Sequence, residues 1–322
     1  MNAFMLPNEA ADNSPTESGT KPVFPGACDC HVHVFGDRRR FPMHPDRVFT
    51  PGEASIIALQ QHLKTTGMSR VVIVQPSVYF TDNACTEAAI RALGPAARGI
   101  CVVDTACSEA ELQRLNTAGF RGVRFNLRTT GSSDAQRLTT HMRILCDPLS
   151  ELGWHIQCYC DALMLDAMLP LMQRIQTPLV LDHFAGVGTM RDDAMKTLLA
   201  LLDTGNVYLK LSAPERVAAA AGERDLAEMV RYLSLRYPTR LLWGSDWPHP
   251  GNLGRGPRNP SEIEPFRAVD DRHMLHRLVK WLDDDHGART ILVDNPERLY
   301  GFASPAISRL HGCRSSPMKL RD

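Results

Sequence analysis

The segment from residue 243 to residue 250, Trp-Gly-Ser-Asp-Trp-Pro-His-Pro, crowds a carboxylate, an imidazole and two prolines directly after an apolar run. The preceding run 240–243 is typical of a buried strand, and packing alone does not require polar residues at its end. Asp246 can act as a general base or as a metal ligand, and His249 follows it by three positions. The segment therefore predicts a chemically active strand end.

Three histidines lie at the ends of other apolar runs. His31 and His33 stand at positions i and i+2 of one run, so their imidazoles should point to the same side of a strand. His183 ends the run 178–183. One such histidine is more often structural than catalytic, but three of them together with Asp246 at equivalent strand ends predict a single polar site.

Eight apolar runs alternate with helix-like segments and indicate how these residues are positioned. The predicted strands are 27–34, 70–75, 99–104, 122–127, 155–160, 178–183, 207–212 and 241–246. Helical spacing marks 110–118, 163–175, 192–202, 223–236 and 273–284. A Ser-x-x-Glu capping box opens the first of these helices. Eight strand–helix units predict an α/β fold of the (β/α)8 TIM-barrel type, with chemistry at the carboxyl ends of the strands.

A doubly wound open sheet is the alternative fold. The absence of G-x-G-x-x-G after the first predicted strand weakens it.

Other polar residues at predicted strand ends are candidates for substrate binding. An inward-facing Arg124 needs an anion, and its planar fork suits a carboxylate, either of the substrate, which is the favoured interpretation, or of an internal salt bridge. Arg128 and Arg216 either hold substrate or are solvated, and Tyr159 either bonds a ligand or lines the barrel. Ser77 follows the second strand.

Some neighbouring polar residues are predicted to lie outside the site. Asp29 and Asp182 each precede a site residue, so strand alternation should turn them outward into a supporting role. His62 falls in a helix-like or loop segment and is predicted to be a surface residue, as are His44, His141, His273, His276 and His286.

Charge and composition argue against several classes of partner. Lys+Arg and Asp+Glu both number 36, which argues against nucleic acid or an acidic membrane surface as the main partner. No apolar run approaches the roughly 20 residues of a membrane span. Of nine cysteines, those in strand-like runs are read as small buried thiols. The absence of C-x-x-C and the odd number favour a reducing cytoplasm.

One domain accounts for most of the chain. Residues 1–22 are rich in Asn, Ser, Thr, Glu and Pro and lack the features of a secretory signal, so a disordered tail is expected. Residues 23–303 are predicted to form the barrel, and residues 304–322 a second tail.

Ordered motifs run through residues 27–302. They are Cys-His-Val-His-Val-Phe-Gly at 30–36, Phe-Thr-Pro at 49–51, Val-Ile-Val-Gln at 72–75, Arg-Gly-Val-Arg-Phe-Asn at 121–126, Leu-Asp-His at 181–183, Pro-Glu-Arg at 214–216, the segment 243–250 and Val-Asp-Asn-Pro-Glu-Arg-Leu-Tyr at 293–300. As a set, they resemble the amidohydrolase superfamily and, within it, the branch of pyrone-dicarboxylate lactonases. H-x-H alone is a weak signal, whereas the ordered set is specific.

This resemblance implies a barrel enzyme that opens a carboxylate-bearing lactone by water attack, in the catabolism of aromatic or sugar acids. Asp246 is then the general base. The lactone carbonyl is polarised, and its oxyanion stabilised, by His31, His33 and His183. Substrate carboxylates are held by Arg124 and Arg216, helped by Ser77, Tyr159, Arg128 and His249. A lone carboxylate at a partly dry strand end is expected to have a raised pKa and therefore a useful basicity.

Many members of the superfamily hold two divalent ions. They use H-x-H, a lysine or glutamate on the fourth strand, histidines on the fifth and sixth, and the last aspartate. Here the fourth strand offers Arg124 and the fifth ends in Tyr159, so a binuclear centre lacks its bridge. The expectation is therefore no metal; the alternative is one zinc ion held by His31, His33, His183 and Asp246.

Two departures leave the substrate open. Phe49 stands where the dicarboxylate lactonases have a tyrosine, and the segment after Asn126 differs, with Arg128 as a candidate second arginine. Muconolactones and sugar-acid lactones are therefore further candidates. The rival functions are a zinc-dependent hydrolase or decarboxylase, a lactone isomerase, and an inactive barrel that serves as a binding protein.

Overall fold

The structure is a computed structural model that describes residues 24–217, 222–251, 258–282 and 284–304. The two predicted tails lie outside the described residues, apart from Ser304, and the domain boundaries remain predictions. Within these ranges, each helix is too short or too polar to cross a lipid bilayer.

Eight parallel strands form one sheet in chain order. They are β1 (Cys28–Val32), β2 (Arg70–Val74), β3 (Ala97–Cys101), β4 (Phe120–Asn126), β5 (His155–Tyr159), β6 (Leu179–Leu181), β7 (Val207–Ser212) and β8 (Leu241–Gly244). Each predicted strand overlaps one of these, and the predicted (β/α)8 barrel is confirmed.

The barrel closes where the end of β1 meets the chain that follows β8. Val32 forms a parallel bridge with Trp247. The amide of His33 donates to the carbonyl of Trp247 at 2.7 Å, and the amide of Asp246 donates to the carbonyl of His31 at 2.9 Å. Closure thus brings the two histidines of the first strand beside the aspartate that follows the last.

Helices surround the strands. They are α1 (Ile56–Thr66), α2 (Ala84–Leu93), α3 (Glu109–Thr117), α4 (Leu127–Thr130), α5 (Ala135–Glu151), α6 (Leu165–Met172), α7 (Met195–Asp203), α8 (Glu223–Arg236), α9 (Asp271–Trp281), α10 (Asp285–Arg289) and α11 (Asn295–Tyr300). The predicted helix 223–236 has the observed bounds of α8, and the others shift by a few residues. Ser108 Oγ accepts a hydrogen bond from the Glu111 amide at 3.2 Å, as the capping box predicts.

Short turns at the carboxyl ends of the strands carry the polar residues. Ser77–Tyr79 follows β2, His183–Gly186 follows β6, and Pro214–Arg216 follows β7. A separate small sheet pairs Thr50–Pro51 with Ile263–Glu264 in parallel. This pairing ties the loop after β1 to the loop after β8 at the mouth of the barrel.

The interior of the barrel is apolar at its amino-terminal end. There, alternate strand residues and the end of α11 form one buried cluster: Cys28, Cys30, Val72, Val74, Ile100, Val180, Tyr208, Leu242, Leu299, Tyr300 and Phe302. A larger cluster lies between the strands and the helices. The eight described cysteines are unpaired and seven of them are buried, including all those predicted as buried thiols. The polar site therefore lies above a buried apolar layer of the barrel interior.

Candidate active site at the mouth of the barrel

Three imidazoles converge on one oxygen of Asp246. The Nε2 atoms of His31 and His183 each lie 3.8 Å from Asp246 Oδ1, and the Nε2 of His33 lies 3.7 Å from it. All four side chains are buried. The structure thus brings the four predicted catalytic residues together at the carboxyl ends of β1, β6 and β8.

Unusual backbone geometry holds two of them there. His183 has a φ of 50° and Asp246 a φ of 69°, in the left-handed region that residues other than glycine rarely adopt. Each such residue stores about 1–3 kcal/mol of strain, which the surrounding structure must offset. Both lie directly at a strand end, where a turn in the left-handed region redirects the side chain into the mouth.

The two oxygens of Asp246 have different surroundings. Oδ1 is buried and has no hydrogen-bond partner among the described residues. Oδ2 accepts hydrogen bonds from Arg216, through Nε at 3.1 Å and Nη2 at 2.7 Å, and from Arg267 Nη2 at 3.2 Å. One oxygen is thus fully engaged and the other is open toward the imidazoles.

This pairing reverses the expected basicity of Asp246. Burial acts to raise the pKa of Asp246, but the Arg216 guanidinium holds that pKa well below its usual range. The expectation of a raised pKa is wrong, because the sequence did not show that two guanidinium groups face the carboxylate. Asp246 is ionised throughout the neutral range.

The imidazoles are neutral. Burial lowers the pKa of His31 to about 3. Burial also lowers the pKa of His33, with the Arg124 charge adding to the effect. For His183, burial again holds the pKa well below its usual range. Each ring therefore offers one N–H donor and one acceptor nitrogen.

Hydrogen bonds at Nδ1 decide which nitrogen carries the proton. His33 Nδ1 donates to the Val74 carbonyl at 2.7 Å, because a carbonyl can only accept. The neutral ring of His33 therefore presents an acceptor lone pair at Nε2. His183 Nδ1 lies 2.9 Å from Ser212 Oγ, and a hydroxyl can donate or accept, so Nε2 of His183 can carry the proton.

A buried ionic layer that the sequence did not reveal lies beneath His31. Lys210 Nζ donates to Gln157 Oε1 at 2.8 Å and lies 3.4 Å from Asp182 Oδ1. Asp182 Oδ1 lies 3.2 Å from His31 Nδ1. The lysine had a signal in the sequence, since it is the one charged residue in the apolar strand β7 and shares the face of Ser212.

The expected outward orientation of Asp182 is wrong. Asp182 follows Val180 by two positions, and Val180 lies in the interior cluster, so alternation points both side chains inward. His183 reaches the same region through the left-handed turn that starts at its own backbone. Asp29 does face away from the mouth, where its carboxylate accepts hydrogen bonds from the amides of His31 and Ser245.

A cavity of about 380 Å³ opens above Asp246. Eight of the ten predicted site residues line it: His33, Ser77, Arg124, Arg128, Tyr159, His183, Arg216 and Asp246. His31 lies beneath it and reaches Asp246 directly. Phe49 and Arg258 also line it, with the Arg258 guanidinium 3.7 Å from the centre of the Phe49 ring.

The arginines of the cavity differ in their partners. Arg124 is buried, donates from Nη1 to the Gln75 carbonyl at 3.0 Å, and has a buried Nε that lies 3.8 Å from Asp182 Oδ2 without a hydrogen bond. Arg128 is half exposed and bonded to Asp161. Arg258 is bonded to Glu264. Arg124 is therefore the cavity arginine with the most donor capacity left for an anion.

His249 does not line the cavity. Its Nε2 lies 3.1 Å from Asp271 Oδ2, which also lies 3.4 Å from Nδ1 of His62. His62 is buried, its Nε2 lies 3.1 Å from Asp29 Oδ2, and its ring stacks on Trp247. The prediction of a surface position for His62 is wrong; the spacing of His62 from the buried Leu59 and Thr66 on α1 was the missed signal.

The ligand atoms around Asp246 are placed closely enough to bind a divalent ion, but the charged side chains around them disfavour one. His31, His33 and Asp246 offer ligand atoms within 4.8 Å of one another. The lining of the cavity nevertheless carries four arginines and two carboxylates: Arg124, Arg128, Arg216 and Arg258 against Glu215 and Asp246. Asp246 is also already paired with Arg216 and Arg267. The surplus positive charge disfavours a divalent cation and favours an anion, so these residues do not fit a resident metal ion.

Comparisons with known proteins agree with this geometry. A family model described as Amidohydrolase matches residues 28–302. The chain is 33% identical to 2-pyrone-4,6-dicarbaxylate hydrolase of Comamonas testosteroni over 302 residues, which cover 87% of this chain and 93% of that protein. It is 32% identical to 4-sulfomuconolactone hydrolase of Rhizobium radiobacter, covering 86% of this chain and 90% of that protein.

A solved structure shares the fold. The apo structure of Agrobacterium tumefaciens ATU3138 superposes with a TM-score of 0.73 at 24% identity, covering 88% of this chain and 98% of that one. At this identity the likeness supports the architecture alone.

Proposed function

Because the chain belongs to the amidohydrolase family, we propose that it is a hydrolase that opens a lactone bearing a carboxylate. The observation that carries this proposal is the arrangement around Asp246, where one oxygen is open toward three neutral imidazoles in a cavity with surplus positive charge. The two relatives named above are hydrolases of a pyrone dicarboxylate and of a sulfomuconolactone, and both names describe anionic lactones.

Asp246 and His33 suit the binding of the attacking water. Their facing atoms, Oδ1 and Nε2, are 3.7 Å apart and both accept hydrogen bonds. A water bound between them donates one hydrogen to each and turns its lone pairs toward the cavity. As the water oxygen attacks the lactone carbonyl, Asp246 takes the proton.

His183 suits the lactone carbonyl. With Ser212 donating to its Nδ1, His183 carries its proton on Nε2, and this N–H donates a hydrogen bond to the carbonyl oxygen, where negative charge develops. His31 lies beside it, with ring centroids 4.7 Å apart, and is held from below by Asp182 and Lys210. We assign His31 to the orientation of this group and of Asp246.

Arg124 suits the substrate carboxylate, because its buried fork retains donors and lines the cavity. Tyr159 and Arg216 stand beside it, with Arg216 Nη1 3.5 Å from the Tyr159 hydroxyl. Ser77 lies in the same lining. We leave His249 out of substrate binding, since it is absent from the cavity lining and its Nε2 is bonded to Asp271.

Ring opening completes the reaction. The tetrahedral intermediate breaks its bond to the ring oxygen, which leaves with the electron pair and takes the proton held by Asp246. The product is a hydroxy acid whose carboxyl group ionises at neutral pH, so each turnover releases one proton. We infer that the reaction needs no metal ion, on the charge surplus around Asp246, and that it serves carboxylic acid catabolism in the cytoplasm, which the unpaired cysteines favour.

The test is a panel of pyrone dicarboxylates, muconolactones and aldarolactones followed by proton release and product identification. We expect one class to be opened with one proton released per molecule. An isomerase would convert the lactone without release of a proton, and a binding protein would bind the lactone without converting it. Either result contradicts the proposal.

Chelation tests the metal separately. Activity is expected to survive dialysis against a strong chelator, and elemental analysis of the active protein is expected to show far less than one divalent ion per chain. Loss of activity that zinc restores would favour the zinc-dependent hydrolase instead.

A further inference from the structure

Two arginines bind the same oxygen of Asp246, but they occupy different positions. Arg216 lines the cavity and donates to Oδ2 through two nitrogens, while its Nη2 also donates to the Pro250 carbonyl at 2.9 Å. Arg267 is not among the lining residues of the cavity. A ligand in the cavity can therefore reach Arg216 and cannot reach Arg267 in the same way.

Arg267 is held by three partners. Its Nη1 is bonded to Glu215, its Nη2 donates to Asp246 Oδ2 at 3.2 Å, and its backbone amide donates to the His249 carbonyl at 3.1 Å. Its side chain is 15% exposed. Glu215 and Asp246 line the cavity, whereas Arg267 reaches them from the loop before α9, so a ligand in the cavity does not have to displace Arg267.

Arg216 meets Asp246 Oδ2 through Nε and Nη2, while its Nη1 lies 3.5 Å from the Tyr159 hydroxyl. Both hydrogens of Nη2 are used, one by Asp246 and one by the Pro250 carbonyl. A substrate carboxylate that enters between Arg124 and Tyr159 and forms a bidentate pair with Nη1 and Nη2 therefore competes with Asp246 for Nη2. Transfer of Arg216 to the substrate leaves Asp246 with Arg267 as its remaining guanidinium partner.

We propose that Arg267 is a positioning residue that holds Asp246 by Oδ2 after a substrate carboxylate has taken Arg216, so that Oδ1 keeps facing the imidazoles. The inference rests on the proposed function, because it requires an anionic substrate. It adds that the substrate's own carboxylate removes one of the two cations that restrain the base. The carboxylate is then both the group that is recognised and the group that prepares Asp246 for proton transfer.

The kinetic test compares a carboxylated lactone with the same lactone in which a carboxamide replaces the carboxylate. With the carboxylated lactone, Arg267→Gln is expected to lower kcat about 10- to 100-fold with little change in KM, and Arg216→Gln is expected to raise KM about 10-fold or more. With the carboxamide, Arg216 stays on Asp246, so Arg267→Gln is expected to lower kcat less than about 3-fold. Equal losses of kcat on both lactones would show a merely structural role and overturn the inference.

A conservative variant and a binding arm keep the test decisive. Arg267→Lys retains a cation and is expected to recover most of the kcat lost in Arg267→Gln. The matched control is Arg236→Gln, which removes a surface arginine paired with Asp203 and is expected to leave kcat unchanged. Calorimetry with a cyclic carboxylate that has no lactone bond is expected to show weaker binding in Arg216→Gln and unchanged binding in Arg267→Gln. Equal weakening in both would also overturn the inference, because Arg267 would then contact the ligand directly.

The binding arm does not require turnover. Binding of the cyclic carboxylate that is weakened in Arg216→Gln and unchanged in Arg267→Gln would support the pairing of Arg216 with a ligand carboxylate. If the wild-type protein then opened no lactone, the proposed function alone would be contradicted.

Discussion

The two sides of Asp246 differ in charge and in rigidity. On the Oδ1 side, three buried imidazoles are neutral and leave space at 3.7–3.8 Å. On the Oδ2 side, two guanidinium groups form direct hydrogen bonds that fill the coordination of the oxygen. The difference shows how one carboxylate can be fixed in charge and orientation on one edge while the other edge stays open for chemistry.

The two sides also come from different parts of the barrel. The imidazoles stand at or within two residues of the ends of β1 and β6. Arg216 and Arg267 come from the turn after β7 and from the loop before α9. His31 lies within β1 itself, and His183 and Asp246 lie in left-handed turns two residues past their strands, whereas the groups that control Asp246 lie on separate loops.

The largest effect is expected from removal of the negative charge of Asp246, which both sides face. Asp246→Asn is expected to lower kcat about 1,000-fold, within the range for loss of a general base. It also leaves Arg216 without its carboxylate partner and Arg267 with Glu215 alone. Proton release measures the activity, and circular dichroism checks the fold; a folded variant with more than a tenth of wild-type kcat would contradict the assignment.

Removal of a donor on the imidazole side should have the next largest effect. His183→Gln is expected to lower kcat about 100-fold, since a donor to the developing oxyanion is lost or displaced. The matched control is His273→Gln, an exposed histidine of α9, which is expected to stay within about 2-fold of wild type. Similar rates in both variants would remove His183 from the chemistry.

The cavity arginines offer a matched pair on substrate binding. Arg124→Gln is expected to raise KM about 10-fold to 100-fold, because a charge-assisted hydrogen bond contributes roughly 1.5–3 kcal/mol. Arg128→Gln is expected to raise KM less than about 3-fold, since Arg128 is half exposed and already paired with Asp161. The reverse order would place the substrate carboxylate at Arg128.

The smallest effect concerns stability rather than rate. The pKa values of His31 and His155 are lowered by burial to about 3, from 6.5 in the unfolded chain. Below pH 6.5 the unfolded chain therefore binds protons that these folded histidines do not, and stability falls as the pH falls. Each contributes a slope of up to about 1.4 kcal/mol per pH unit.

Urea unfolding at pH 7, 6 and 5 measures this slope. His155→Gln lies outside the cavity and is expected to unfold with a slope about one histidine shallower than wild type. A slope that is unchanged by the substitution would show that His155 is charged in the folded protein.

The sequence predicted the scaffold and the reacting groups because both have local signals. Apolar runs gave the eight strands, and polar residues at their ends gave His31, His33, His183 and Asp246. Arg267 had no such signal, because it lies in an irregular loop and reaches Asp246 only through the tertiary fold. The raised pKa expected for Asp246 failed for the same reason, since the pKa depends on partners that pattern analysis does not place.

The closure of β1 on the chain after β8 has a consequence for synthesis. Asp29 accepts a hydrogen bond from the Ser245 amide 216 positions later, so the site and the seam are completed together, only after residue 245 has been synthesised. At about 5–20 residues per second, one edge of the first strand waits roughly 10–40 s for its partner. During that interval β1 presents an open edge of unpaired amides and carbonyls, at which a partly folded chain can aggregate.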